Sequence, residues 1–225
     1  MKKEVETYFK HLKAIGVEYV EKDKPRKAPG KTKNPAAPSS LASIAAEVAG
    51  CVKCRLHKTR TQTVFGSGDP KARVMFVGEA PGADEDEQGL PFVGRAGKLL
   101  TSMIEAERSL GIPRSAVYIA NVLKCRPPEN RPPEPDEVAQ CEGYLKAQIA
   151  LVKPSFICAL GAHAAHTLLK TNEPIGKLRG RWHEYEGIPL VATYHPSFLN
   201  RAPQYKAESW KDLLMLKEAL NAKGR

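Results

Sequence analysis

Four short apolar runs recur along the chain at 73–78 ("RVMFVG"), 117–122 ("VYIANV"), 155–161 ("SFICALG") and 189–195 ("PLVATYH"). Each is rich in β-branched or aromatic side chains and has turn residues nearby, the pattern of a short strand. Helical patterns separate them. "GKLLTSMIEAERSLG" puts Leu99, Leu100, Met103 and Ile104 on one face and ends in Gly111. "PDEVAQCEGYLKAQIALV" opens with Pro135 and two acids, a favourable first turn. "GAHAAHTLLK" and "AESWKDLLMLKEALNAK" complete the series. Strands alternating with helices predict an α/β protein, a three-layer α/β/α domain with a mostly parallel central sheet. In such sheets ligands sit beyond the carboxyl ends of the strands. The polar residues ending three runs, Glu79, Asn121 and His195, are therefore expected on one edge.

Upstream of this pattern the composition changes. Val5, Tyr8, Phe9, Leu12 and Ile15 have helical spacing, and 21–40 then carries four prolines, six Lys/Arg and no large apolar residue. Such a stretch buries too little surface to offset its ordering entropy, so residues 1–40 are expected to form a short helix and a flexible basic linker, with the folded domain at 41–225. Of the formal net charge of +10, residues 1–40 supply +5, from ten Lys/Arg against five Asp/Glu. The remainder is moderately basic, compatible with a polyanionic partner without requiring one. The charged start and the lack of a long apolar run predict a cytoplasmic protein without a membrane partner.

Five cysteines in a reducing compartment point to metal or cluster ligation rather than to disulfides. "CVKC" places Cys51 and Cys54 one turn apart, Cys125 lies in the proline-stiffened "KCRPPENRPPEP", and Cys141 falls in the helix that follows. Four thiolates suit either zinc or an iron-sulfur cluster, and their spacing does not choose between them. Cys158, inside "FICAL", reads as a core residue.

Taken together, "GEAPGADEDEQGLPFVGRAGKLL", "YIANVLKCRPPENRPPEPDE", the four cysteines and "HPSFLNR" resemble the family 4 uracil-DNA glycosylases, the iron-sulfur class of that superfamily. The resemblance spans roughly 45–222. It implies a 4Fe-4S cluster on Cys51, Cys54, Cys125 and Cys141 with a structural role. It also implies a monomeric, monofunctional enzyme that flips uracil out of single- or double-stranded DNA, hydrolyses its N-glycosidic bond and leaves an abasic site for base excision repair. A non-catalytic iron-sulfur DNA-binding or redox-sensing module is the alternative. Binding alone requires none of Phe92, Asn121 and His195.

Within the motifs, Gly78, Glu79 and Ala80, with Gly82, would cradle the base through backbone, and Phe92 would stack on it. Asn121 would read uracil's carbonyl and N–H edge, and His195 would donate to the oxygen that gains charge as the bond breaks. Glu85, with Asp84 a weaker alternative, would fill the space of thymine's methyl. Leu199 would enter the gap left in the DNA, with Phe198 or Asn200 alongside, while Ser197 and Arg201 would meet the backbone. Related glycosylases carry a water-activating Asp where this chain has Ala80, which leaves Glu79 as the nearest candidate base. His57, His163, His166 and His183 are expected to be structural.

Overall fold

The computed structural model describes residues 40–222. The expected N-terminal helix and all but the last residue of the linker lie outside the described residues. Ser40 caps the first helix, α1 (Leu41–Ala49), by accepting the Ser43 N–H at 3.1 Å. Among the described residues a six-stranded sheet follows, in the order β1-β3-β2-β4-β6-β5. Its strands are β1 (Ser67–Gly68), β2 (Val74–Gly78), β3 (Tyr118–Asn121), β4 (Phe156–Leu160), β5 (Trp182–Tyr185) and β6 (Ile188–Thr193).

The four strands read from the apolar runs form the parallel centre, β3-β2-β4-β6. Both edges are antiparallel and were not visible in the pattern. β1 has only two residues, and β5, "WHEY", exposes Trp182 and Glu184 and lacks an apolar run. β5 reaches β6 through the two-residue turn Glu186–Gly187, both at positive φ (48° and 83°), the hairpin geometry whose twist matches the flanking strands.

Alternation along the central strands separates two cores. Met75, Val77, Ala120, Ile157 and Ala192 pack with α1, with α4 (Pro135–Val152) and with α5 (Ala162–Leu169). Val74, Phe76, Ile119, Cys158 and Leu160 pack with α3 (Arg95–Glu105) and α8 (Lys206–Ala222) on the opposite face. This is the expected three-layer architecture, and Cys158 is the fully buried core residue the sequence indicated. No described helix is long and apolar enough to cross a membrane.

The acidic stretch after Gly82 forms a short helix, α2 (Ala83–Gln88). Asp84, Glu85 and Asp86 occupy its first turn, where unpaired N–H groups favour negative charge, and Gly89 ends it at φ 72°. The short helices α6 (Ile175–Leu178) and α7 (Pro196–Arg201) flank the β5–β6 hairpin in sequence.

Candidate active site

A cleft of about 630 Å³ opens at the carboxyl ends of the parallel strands. Glu79 follows β2, Asn121 ends β3, Gly161 follows β4 and His195 follows β6, and all four line it. The convergence expected from strand polarity is present. Ala80, Gly82, Glu85, Phe92, Ser197 and Arg201 also contribute to the walls.

The end of β3 is pinned by backbone pairing that outlasts the strand: Val122 N–H donates to Gly78 C=O at 2.9 Å and Leu123 N–H to Glu79 C=O at 3.0 Å. Asn121 is buried, and its Oδ1 has no hydrogen-bond partner in the protein. A buried acceptor left unpaired costs about 1–3 kcal/mol, so a donor from a ligand would be well received there. Gly78 is what lets neighbours close on this point. A methyl at Gly78 would lie 2.3 Å from Asn121 Oδ1 and 2.6 Å from the Phe92 ring.

Phe92 is buried and has φ 54°, a conformation that is costly for an aromatic residue and persists only when its surroundings enforce it. Three groups enforce it. Glu85 accepts from the N–H groups of Val93 (2.9 Å) and Gly94 (3.0 Å), and from Gly82 N–H (3.0 Å) with its other oxygen. Arg114 donates to Pro91 C=O at 2.7 Å. Gly97 on α3 lies so close beneath Phe92 that a methyl there would sit 1.9 Å from the Phe92 carbonyl oxygen. The Phe92 ring consequently faces His195, with ring centroids 5.7 Å apart. Glu85 therefore lines the cleft with its carboxylate already bonded to three backbone N–H groups. Asp84 and Glu87 are exposed, whereas Asp86 is buried and accepts Thr61 N–H at 3.0 Å.

His195 caps α7. Its Nδ1 accepts Ser197 N–H at 3.1 Å and lies 2.8 Å from Ser197 Oγ. A backbone N–H can only donate, so Nδ1 carries no proton and the neutral ring bears its hydrogen on Nε2. Burial, with Arg201 and His163 adding positive charge nearby, lowers the His195 pKa to about 4. The neutral donor is thus the resting form. Between pH 4 and 6.5 the unfolded chain holds a proton on this histidine and the folded chain does not. Stability from burying the neutral ring is therefore complete above the unfolded value and is lost as pH falls toward 4. We expect the melting temperature to decline over that window and the decline to flatten in His195→Gln, as read by calorimetry against pH.

Glu79 is half-buried in the cleft wall, and burial raises its pKa, offset in part by His163. His163, expected to be structural, is exposed and lines the cleft two residues beyond Gly161. The strand-end rule applied to the third run, at 155–161, would have found it. His57, His166 and His183 each bond a backbone carbonyl, as structural residues do.

Leu199 requires a correction. It is 1% exposed and lies between α3 and α8, beside Leu99, Met103, Trp210 and Leu213, so it does not present a wedge. In α7 the side chain at that position turns inward, while Phe198 is half-exposed on the cleft wall and Asn200 and Arg201 are exposed.

Away from the cleft, Cys51, Cys54, Cys125 and Cys141 line one small cavity with Val48, Arg60, Lys124 and Tyr144. Arg60 donates to Cys125 Sγ at 3.2 Å, and Lys124 N–H to Cys141 Sγ at 3.3 Å. Burial raises both thiol pKa values, that of Cys141 to about 11. Among the described residues no group of three or more His, Cys, Asp or Glu is placed to hold a single metal ion.

With this geometry in view, comparison with known proteins identifies the class. A profile described as the Uracil DNA glycosylase superfamily matches residues 65–214, so the chain belongs to that superfamily. Within it the similarity is to the type-4 branch. The chain is 43% identical to the type-4 uracil-DNA glycosylase of Archaeoglobus fulgidus over 192 residues, covering 82% of this chain and 95% of the relative. It is 44% identical to that of Saccharolobus solfataricus over 192 residues (82% and 88%), and 46% identical to that of Pyrobaculum aerophilum over 178 residues (75% and 88%).

Proposed function

We propose that this protein excises uracil from DNA: the nucleotide leaves the base stack, water cleaves the bond between sugar and base, and an abasic site remains for base excision repair. The observation that carries this reading is the buried, unpartnered Oδ1 of Asn121 in a cleft that Phe92 and His195 also line. Uracil N3–H donates to Oδ1 and uracil O4 accepts from the Asn121 amide nitrogen. Cytosine offers an unprotonated N3 and an amino group at the same places, so it is rejected. The Phe92 ring stacks on the base, and backbone from Gly78 to Gly82 closes around it. Thymine is excluded by the wall that Glu85 braces, because a carboxylate tied to three N–H groups does not yield to a methyl.

As the C1′–N1 bond breaks, its electron pair moves into the uracil ring and onto O2, where His195 Nε2–H donates without releasing its proton. The oxygen of water bonds to C1′, and Glu79 takes the proton that this water loses. Ala80 carries no base, and burial makes the Glu79 carboxylate more basic than an ordinary one. No lysine is among the described residues lining the cleft, which supports hydrolysis without an amine nucleophile and hence without strand cleavage. Arg201 meets phosphate, Ser197 orients His195, and Phe198 with Asn200 takes the wedge role. The partner is uracil-containing DNA, single- or double-stranded, met by a monomer in the cytoplasm.

Cys51, Cys54, Cys125 and Cys141 fit a 4Fe-4S cluster: all four line one cavity, and N–H donors aimed at two of the sulfurs favour the thiolate form. Bound there, the cluster supplies cross-links among three distant chain segments. Cys51→Ala should lose visible absorbance and melt at lower temperature, whereas Cys158→Ala should keep the spectrum. An unchanged spectrum for Cys51→Ala removes it from the ligand set.

The activity is tested with a uracil oligonucleotide, single- or double-stranded, followed by alkali. Breaks at the uracil position are expected. DNA binding without any abasic site, in protein with full visible absorbance, would favour the non-catalytic module.

A further inference from the structure

Among the described residues Lys124 is the only buried lysine or arginine, at 1% exposure, and it makes no ion pair with any of them. Its ammonium donates instead to two neutral acceptors, the backbone carbonyl of Asn121 at 2.7 Å and Gln148 Oε1 at 2.6 Å. Gln148, fully buried on α4, donates in turn to Phe65 C=O at 2.9 Å and lies 3.2 Å from the Tyr118 hydroxyl. The backbone of Lys124 looks the other way: its N–H reaches Cys141 Sγ at 3.3 Å, and its carbonyl accepts Val64 N–H at 2.8 Å. One residue thus touches both the cysteine-lined cavity and the residue that lines the cleft with an unpartnered amide oxygen.

Stability alone is a poor reason for this lysine. Taking an ammonium out of water costs several kcal/mol, and here no ion pair with a described residue offsets it. A methionine would fill much the same space. What methionine cannot do is donate to the Asn121 carbonyl. The Asn121 side chain makes no hydrogen bond of its own through Oδ1, so its aim depends on its backbone.

We propose that Lys124 is a positioning residue: it orients Asn121 for base recognition and ties that orientation to the backbone around Cys125 and Cys141. A disturbance of the cysteine-lined cavity then reaches the cleft as weakened uracil recognition, before the fold is lost. This rests on the base-reading role given above to Asn121.

The test compares Lys124→Met with the wild-type chain, both purified with visible absorbance intact. Calorimetry measures affinity for free uracil, and a uracil oligonucleotide gives kcat and KM. We expect a melting temperature within a few degrees of wild type, because the cost of burying the ammonium disappears while Gln148 Oε1 and the Asn121 carbonyl lose a donor; free-uracil affinity and kcat each reduced about tenfold, the scale of one hydrogen bond to a charged group; and KM for DNA within about twofold. Wild-type uracil affinity and kcat in folded Lys124→Met overturn the proposal. If that variant does not fold, Gln148→Leu, which removes one acceptor of the ammonium, must weaken uracil affinity in the same direction; unchanged affinity there overturns it equally. A wild-type chain that binds uracil but excises none refutes the activity instead, and the free-uracil comparison still decides the role of Lys124.

Discussion

We expect His195→Ala to lower kcat for uracil excision about 10²- to 10³-fold, the usual cost of removing one donor to a developing oxyanion, and to leave KM nearly unchanged. Uracil in the intact nucleotide is neutral and needs little from the Nε2–H. The departing base is an anion and needs it fully. An interaction realised only as charge develops appears in kcat rather than in KM. The donor is already set before DNA arrives, since Ser197 N–H on Nδ1 fixes the tautomer and burial keeps the ring neutral down to about pH 4. Ser197→Ala should cost less, because the backbone N–H that selects the tautomer survives it. Alanine at 195 also removes the side chain that caps α7, worth about 1 kcal/mol, so kcat is normalised to folded protein by calorimetry. A His195→Ala enzyme within tenfold of wild type, or one impaired only in KM, would place the leaving-group donor elsewhere.

The features legible in the sequence were those with a local signature. Four apolar runs marked the four parallel strands because strands buried on both faces must be apolar throughout. Asn121 and His195 could be placed on the cleft because polar residues at the ends of such runs fall on one edge of the sheet. Other features depended on tertiary partners that no short window contains. The motif singles out Glu85 as a group facing the base, but nothing in a run of acids shows that its carboxylate accepts the Val93 and Gly94 N–H groups. Lys124 reads as a surface lysine between "VL" and Cys125, and only α4 reveals it as buried, through Gln148. Leu199 followed its motif position, but the helical turn of α7 directs it into the core and leaves Phe198 on the cleft. The edge strands were missed for the complementary reason: too short, or too exposed, to need an apolar pattern.

Gly78→Ala adds a methyl behind Asn121 and Phe92 without breaking the sheet, and we expect it to abolish measurable uracil binding and reduce kcat/KM more than about 100-fold, a loss of more than ~2.7 kcal/mol in transition-state stabilisation. The reason is space, not backbone freedom, because Gly78 does not adopt positive φ. Its added methyl would meet Asn121 Oδ1 at 2.3 Å and Phe92 ring carbons at 2.6 and 2.7 Å. Neither neighbour can retreat cheaply. The chain at Asn121 is held by the Val122 and Leu123 N–H bonds, and Phe92 by Glu85, Arg114 and the close approach of Gly97. The remaining direction for both side chains is into the cleft, where the base must lie. Overpacking of this kind costs about 1–3 kcal/mol, so the variant should fold and melt several degrees lower. Gly143→Ala is the matched control: at this exposed position on α4 its methyl meets nothing within 4 Å, and alanine should stabilise the helix by up to about 1 kcal/mol with excision unchanged. If Gly78→Ala binds free uracil as tightly as wild type, the base does not lie between Phe92 and Asn121, and the assignment of the cleft as its pocket fails with it.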